Sequence, residues 1–227
     1  MADLQQFVDV TEYNFLLSLA CIILNPLFWN VVARWEYRTG ALTRLFGSPY
    51  TGCYSLGAVI IALAVYRSHC FTTAMANQPQ CSFLSGPGFY YAGITLVAAG
   101  SILVITSFLA LGFVGTYLGD YFGILMDKKV TGFPFNILEN PMYWGSTANY
   151  LGLALVNSSP AGLLLTAAVA VCYKVAISFE GYTIRKPGKD SLSKEIASRN
   201  AIHRGNIPEQ RETEEEMTDR HAKPPKS

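Results

Sequence analysis

The chain has 227 residues, 51% hydrophobic and 15% charged, with a formal net charge of +1 at pH 7. So even a balance leaves no electrostatic footprint for a nucleic acid or another polyanion, and the positive mean hydropathy argues against an ordinary soluble domain. The charge is unevenly placed: residues 1–179 hold 14 of the 33 Lys, Arg, Asp and Glu, and residues 180–227 hold the other 19. Residues 1–180 therefore read as an all-α, polytopic membrane bundle of four to five helices. Residues 181–227 read as a polar, disordered tail.

Uncharged runs locate the spans, since crossing a hydrocarbon core takes about 20 helical residues. The first run, 13–33, lies between Glu12 and Arg34, and Asn25-Pro26 in its middle predicts a bend or an interfacial course. No Lys or Arg precedes it, and it is too long for a secretory h-region. The second, 45–66, lies between Arg44 and Arg67, with Arg67 as its charged boundary. The third is expected to span from about 89 to 114, after polar loop material. Phe28, Trp29, Trp35, Tyr90, Tyr91, Tyr143 and Trp144 gather at the span ends, where amphipathic rings meet a lipid boundary.

The third run leads into "GTYLGDYFG", where Gly115, Gly119 and Gly123 recur every fourth residue. On a helix they would share one face and let a second backbone approach, which predicts helix packing or self-association through that face. Asp120, inside this motif, is either a solvated interfacial carboxylate or a polar contact for a cation or amine.

The fourth run opens with "ENPMYWGSTANYLG". Residues 143–156 give four helical turns, Asn157-Ser158-Ser159-Pro160 reads as a turn, and 161–179 give a second helix. A hairpin of this kind would bring Asn140, Pro141, Tyr143 and Gly145 back beside Glu180. The result would be a polar, ring-lined mouth carrying a carboxylate, suited to a cationic ligand.

Other chemistry is hard to find. The five cysteines show no paired spacing, so neither a disulfide framework nor a zinc set is expected. "GYTIRKPGKD" fails the P-loop pattern, with six residues between its glycines and Asp190 where Ser or Thr should stand. Asn157-Ser158-Ser159 matches a glycosylation sequon formally but abuts an apolar run.

The blocks "NPLFWNVVARWE", "FGSPY", "RSHCFT", "ALGFVGTYLGDYFGIL", "FPFNILENPMYWGSTANYLG" and "SPAGLLLT" closely resemble the vertebrate phosphatidylethanolamine N-methyltransferases, over residues 1 to about 180. "NPMYWG" is also similar to the Arg-His-Pro-x-Tyr-x-Gly element of isoprenylcysteine carboxyl methyltransferases. The resemblance implies an enzyme of the endoplasmic reticulum and mitochondria-associated membranes. It would carry methyl groups from S-adenosylmethionine, without a metal, to phosphatidylethanolamine and its mono- and dimethyl forms. Asp120 and Tyr143 would then be catalytic, and Gly100, Asn140, Pro141, Tyr143, Gly145 and Glu180 would hold the donor. The family's Gly-x-Gly survives only as Gly100 in Ala98-Ala99-Gly100, and its acidic pair only as Glu180 in Glu180-Gly181.

From Gly181 onward the usual family ending is replaced, which points to an alternative terminal exon or an error in the gene model. The single remaining acid predicts weaker donor binding and reduced or absent later methylations. The rival expectation is a non-catalytic or impaired splice form that retains the membrane fold. Lys174, Arg185, Lys186 and Lys189 favour a cytosolic tail.

Two helix arrangements compete. Four plain crossings put Gly100 on the side of Glu180, whereas the hairpin joins NPMYWG, Glu180 and the Gly119 region and leaves Gly100 deeper. The hairpin is the better expectation because it explains the chemistry at one mouth.

Overall fold

The computed structural model describes residues 7–124 and 130–184, with the side chains of 179–184 left aside. Helix α1 spans Tyr13–Thr39, α2 Ala41–Phe46, α3 Pro49–Ala76, α4 Pro87–Thr116, α5 Pro141–Val156 and α6 Pro160–Ile184. Short 3₁₀ turns lie at Ser82–Ser85 and Gly119–Phe122. Four of these segments, Tyr13–Thr39, Pro49–Ala76, Pro87–Phe122 and Pro160–Ser178, are long and apolar enough to cross a membrane. The all-helical membrane bundle expected from the sequence is what is found among the described residues. Of the expected tail, residues 181–184 are not disordered but continue α6, because the helix runs past Glu180 to Ile184, and 185–227 lie outside the described residues.

The polarity of the fold is that of a protein solvated by lipid. Leu24, Leu27, Val65, Ile105, Leu109 and Val171 are more than half exposed, while Ser18, Asn25, Arg67, Ser107 and Thr166 are buried. Apolar surface of this extent, on helices long and apolar enough to cross a membrane, suits hydrocarbon, where a backbone must satisfy its own polar groups, as helices do.

Apart from the short α2, successive helices run in alternating directions. Asn25 of α1 donates its amide to the Leu63 carbonyl of α3 at 3.0 Å. Tyr37 meets Tyr121 with ring centroids 6.0 Å apart. A Cβ at Gly52 or Gly57 of α3 would meet Phe122 or Phe113 at 3.0 and 2.6 Å. The ends of α1 and α4 and the start of α3 thus form one end of the bundle, around Cys53, Leu56 and Phe122. At the opposite end the Gln78 amide accepts from the Asp9 amide at 2.8 Å and donates to the Asp9 carbonyl at 2.7 Å. The Cys81 amide there donates to the Ser158 carbonyl at 2.9 Å.

Three expectations are corrected. Pro26 does not break α1, which runs unbroken through it. A proline removes one N–H donor; here Asn30 Nδ2 donates to the Pro26 carbonyl at 3.0 Å, and the Asn25 bond fastens the same turn to α3. Second, α3 does not stop at Tyr66 but continues ten residues further, so Arg67 lies inside the bundle, 6% exposed. Third, Gly115, Gly119 and Gly123 do not share a helix face. The chain leaves helical geometry at Gly112 (φ 67°, ψ 179°), α4 ends at Thr116, and Gly123 closes the Gly119–Phe122 turn at φ 75°.

Candidate functional site

Helices α4 and α5 pack through a different set of glycines. A Cβ on Gly100 would lie 2.5 Å from the Gly145 carbonyl oxygen, and one on Gly145 would lie 2.6 Å from that of Gly100. Seven residues away along each helix, a Cβ on Gly152 would stand 2.6 Å from the Gly93 carbonyl oxygen. Two glycines per helix, one heptad apart, form an antiparallel seam in which backbone touches backbone. Gly100 and Gly145 are therefore brought together, each required to lack a side chain by the other helix.

On its other side α5 folds back on α6 as the hairpin expectation requires. Pro141 and Pro160 begin the two helices, and Ser158 takes a positive φ of 50° in the turn between them. Tyr143 packs on Tyr173 with ring centroids 4.9 Å apart, and a Cβ at Gly162 would meet the Ala154 methyl at 2.8 Å. These contacts set α5 and α6 antiparallel, with Tyr143 level with Tyr173.

That register carries an unforeseen consequence. If Tyr143 is level with Tyr173, Pro141 is level with Val175, and α6 runs on for roughly 13 Å to Ile184 by helical rise. By the glycine seam, α4 runs on for roughly 12 Å beyond the level of Pro141 before it leaves helical geometry at Gly112. The start of α5 is recessed within the bundle, and its first turn carries Asn140, Pro141 and Tyr143. Asn140 precedes α5 without a side-chain capping bond. Trp144, beside the ring pair, is 61% exposed.

Beneath this turn the bundle interior is polar. Arg67 Nη2 donates to the Tyr173 hydroxyl at 2.9 Å, and Ser68 and Tyr150 hydroxyls meet at 3.0 Å. The guanidinium carbon lies 5.4 Å from the Tyr150 ring centroid and 5.6 Å from that of Tyr173. Each such face stabilises a desolvated cation by up to about 2 kcal/mol.

Of the remaining expected site residues, Asp120 is exposed in the turn that packs on α1 and α3, near Cys53. Glu180 belongs to the last turns of α6, but its side chain lies outside the described residues. Arg67 and Tyr173 were not anticipated. An arginine following an uncharged run reads as a membrane boundary, and only the continuing helicity of "SHCFTTAMA" could have signalled otherwise. Among the described residues there is no group of three His, Cys, Asp or Glu able to hold a metal ion.

A lipid-embedded bundle with a recessed, ring-lined turn defines a class, and the comparisons make it specific. The phospholipid methyltransferase family profile matches residues 89–186. The chain is 57% identical over 180 residues to the phosphatidylethanolamine N-methyltransferase of Rattus norvegicus, covering 79% of this chain and 90% of that protein. It is 56% identical, with the same coverage, to the Homo sapiens protein of that name. A phosphatidyl-N-methylethanolamine N-methyltransferase of Saccharomyces cerevisiae is 47% identical over 173 residues, 76% of this chain and 84% of its own. No solved structure matches. The chain belongs to the phospholipid methyltransferase family, and it is a membrane enzyme of that type.

Proposed function

We propose that this chain methylates phosphatidylethanolamine, then its mono- and dimethyl forms, to phosphatidylcholine, using S-adenosylmethionine as donor. The observation that carries the reading is the recessed first turn of α5, where the segment most like the family's signature meets a tyrosine pair at 4.9 Å. The donor is a sulfonium cation, and its methyl passes directly to an amine nitrogen. What the protein must supply is alignment, a face for the positive charge, and a route for the amine proton.

In this reading Tyr143, backed by Tyr173, presents its ring to the sulfonium. Asn140 and Pro141 bound the same turn, and Glu180, in the last turns of α6, is the acid assigned to the donor's polar end. Gly100 and Gly145 serve by fixing how deeply α5 seats against α4, which sets the height of Tyr143. Asp120 holds the amine proton after its release. Self-association through Gly115, Gly119 and Gly123 would use a turn rather than a helix face.

The end bearing this turn also carries Arg34, Arg38 and Arg44, whereas residues 7–12, 77–87 and 157–160 at the opposite end contain no Lys or Arg. By the positive-inside rule, that end and the tail are cytosolic. The membranes are those of the endoplasmic reticulum and its mitochondrial contacts.

A second reading is favoured by one residue: Gly181 stands where the family carries a second acid, so the chain is an impaired form with weakened later steps. Microsomes expressing the full chain with methyl-labelled donor test both readings. Labelled phosphatidylcholine supports full activity. Arrest at the monomethyl lipid, relieved by Gly181→Glu, supports the impaired form. Absence of any labelled phospholipid, with the chain present and membrane-inserted, defeats the catalytic reading.

A further inference from the structure

We propose that Arg67 is an anion-binding residue, whose guanidinium takes an oxyanion beneath the recessed start of α5: the phosphate of a lipid headgroup or the carboxylate of the methyl donor. The identity of these two bearers rests on the methyl-transfer reading above; the anion site itself rests on the geometry.

A guanidinium has five N–H donors in a planar fork and no acceptor. Here Nη2 donates to the Tyr173 hydroxyl at 2.9 Å, while Nε and Nη1 are buried and have no hydrogen-bond partner. The side chain is 6% exposed, so water at the protein surface does not serve them. The groups facing it from the neighbouring helices are phenols and thiols: Tyr150 of α5, Tyr173 and Cys172 of α6, and Cys21 of α1. The Tyr150 hydroxyl meets that of Ser68 and also interacts with the guanidinium, yet Nε and Nη1 remain without an acceptor. No carboxylate among the described residues acts on the guanidinium.

This is an unusual way to bury a cation. Charged side chains inside a membrane pair with one another or with carbonyls, or mark a ligand path. The two tyrosine rings stabilise the charge through their faces but accept none of the in-plane N–H bonds at Nε and Nη1. A purely structural position would favour an apolar side chain of similar volume, because a buried cation without a counter-charge is costly. An oxyanion supplies both the missing charge and the missing acceptors, and the planar fork is the group best shaped for one.

Depth agrees with access from the recess. Tyr150 lies nine residues into α5 and touches both Ser68 and Phe71 of α3. The start of α5 is thus level with about residue 61 of α3, and Arg67 is roughly 9 Å deeper by helical rise. A long, snorkelling side chain spans such a gap. Tyr173 touches both Arg67 and Tyr143, so one residue joins the cation to the turn assigned to the donor.

The test uses the full chain in phosphatidylethanolamine-containing nanodiscs, with binding rather than turnover as readout. S-adenosylhomocysteine is titrated as the donor probe. Phosphatidylethanolamine retained by the purified chain is counted by native mass spectrometry, against a long-chain amine lacking phosphate. Arg67→Lys, which keeps charge but loses the fork, and Arg67→Met are each expected to weaken one ligand tenfold or more. Loss confined to S-adenosylhomocysteine assigns the carboxylate. Loss of phosphatidylethanolamine with the phosphate-free amine still bound assigns the phosphate.

Tyr173→Phe keeps the ring and removes the hydroxyl that orients the fork. It should shift the same ligand at least threefold, and it decides the matter if the Arg67 variants do not fold. Affinities within twofold of the parent for both ligands, in every variant that folds, overturn the proposal and leave a structural cation. A chain that binds in an Arg67-dependent way but transfers no methyl group defeats the functional reading and not this one.

Discussion

Individual residues show that glycine in this protein answers to backbone contact. A side chain at Gly145 would meet the Gly100 carbonyl oxygen at 2.6 Å and the Leu103 and Val104 side chains at 2.9 and 3.0 Å. Gly145→Leu should therefore drive α5 off α4 and lower stability by at least about 1–3 kcal/mol, read as a reduced melting temperature of the detergent-solubilised chain. Tyr143 provides the contrasting case, where the ring is the functional part. Tyr143→Phe should leave donor-analogue affinity within about threefold. Tyr143→Ala should weaken it by roughly tenfold, the magnitude of one desolvated cation–aromatic contact, measured by titrating S-adenosylhomocysteine. The resemblance singled out Gly100 and Gly145 in the sequence, but not their partnership, because nothing local relates residues 45 apart. Arg67 was misread for a similar reason: a charge after an apolar run marks a boundary only if the helix stops there.

At the level of elements, caps and polar clamps decide where helices end. Glu36 is buried at 2% exposure and its carboxylate accepts from the Leu42 amide at 2.6 Å, the Thr43 amide at 3.2 Å and the Thr43 hydroxyl at 2.5 Å. It thereby caps the short α2 from the last turns of α1, across the left-handed Gly40 (φ 59°). Glu36→Gln weakens charge-assisted bonds in a buried place. It should cost about 1–3 kcal/mol and speed hydrogen exchange at the Leu42 and Thr43 amides. At the other end of α1, burial opposes ionisation of Glu12, yet bonds from the Asn14 and Phe15 amides and the Asn14 side chain hold its carboxyl below its ordinary value. A group depressed in the folded state contributes above its unfolded pKa and loses that contribution as pH falls through the folded one. Protection factors at the Phe15 and Leu16 amides, with the intrinsic pH dependence of exchange divided out, should accordingly fall only in acid, below the ordinary carboxylate range, and stay constant around neutrality. The hairpin of α5 and α6 was legible because Pro141, the Asn-Ser-Ser turn and Pro160 are local signals. The unbroken course of α1 was not, since the turn at Pro26 is fastened to α3 through Asn25, a contact that no local signal records.

For the whole molecule, alternating helices gather Arg34, Arg38 and Arg44 at one end with the α5 turn and leave the other end without Lys or Arg among residues 7–12, 77–87 and 157–160. If that arginine-bearing end is cytosolic, Cys81 faces the lumen. An impermeant maleimide should then label Cys81 in sealed, right-side-out microsomes only after the membrane is opened, with a Cys81→Ser chain as control. Labelling of Cys81 before permeabilisation would reverse the orientation. The sequence by itself determined that the chain is a helical membrane protein of this family, because hydropathy, span length and long motif blocks are properties of contiguous residues. It also located the turn and both helices of the hairpin. Only the tertiary structure decided how deep that hairpin sits, that Gly93 and Gly100 meet Gly152 and Gly145, and that Arg67 is enclosed with donors unspent. Depth and enclosure depend on how distant segments are set against one another, and that register is fixed by packing across helices rather than by the order of residues along any one of them.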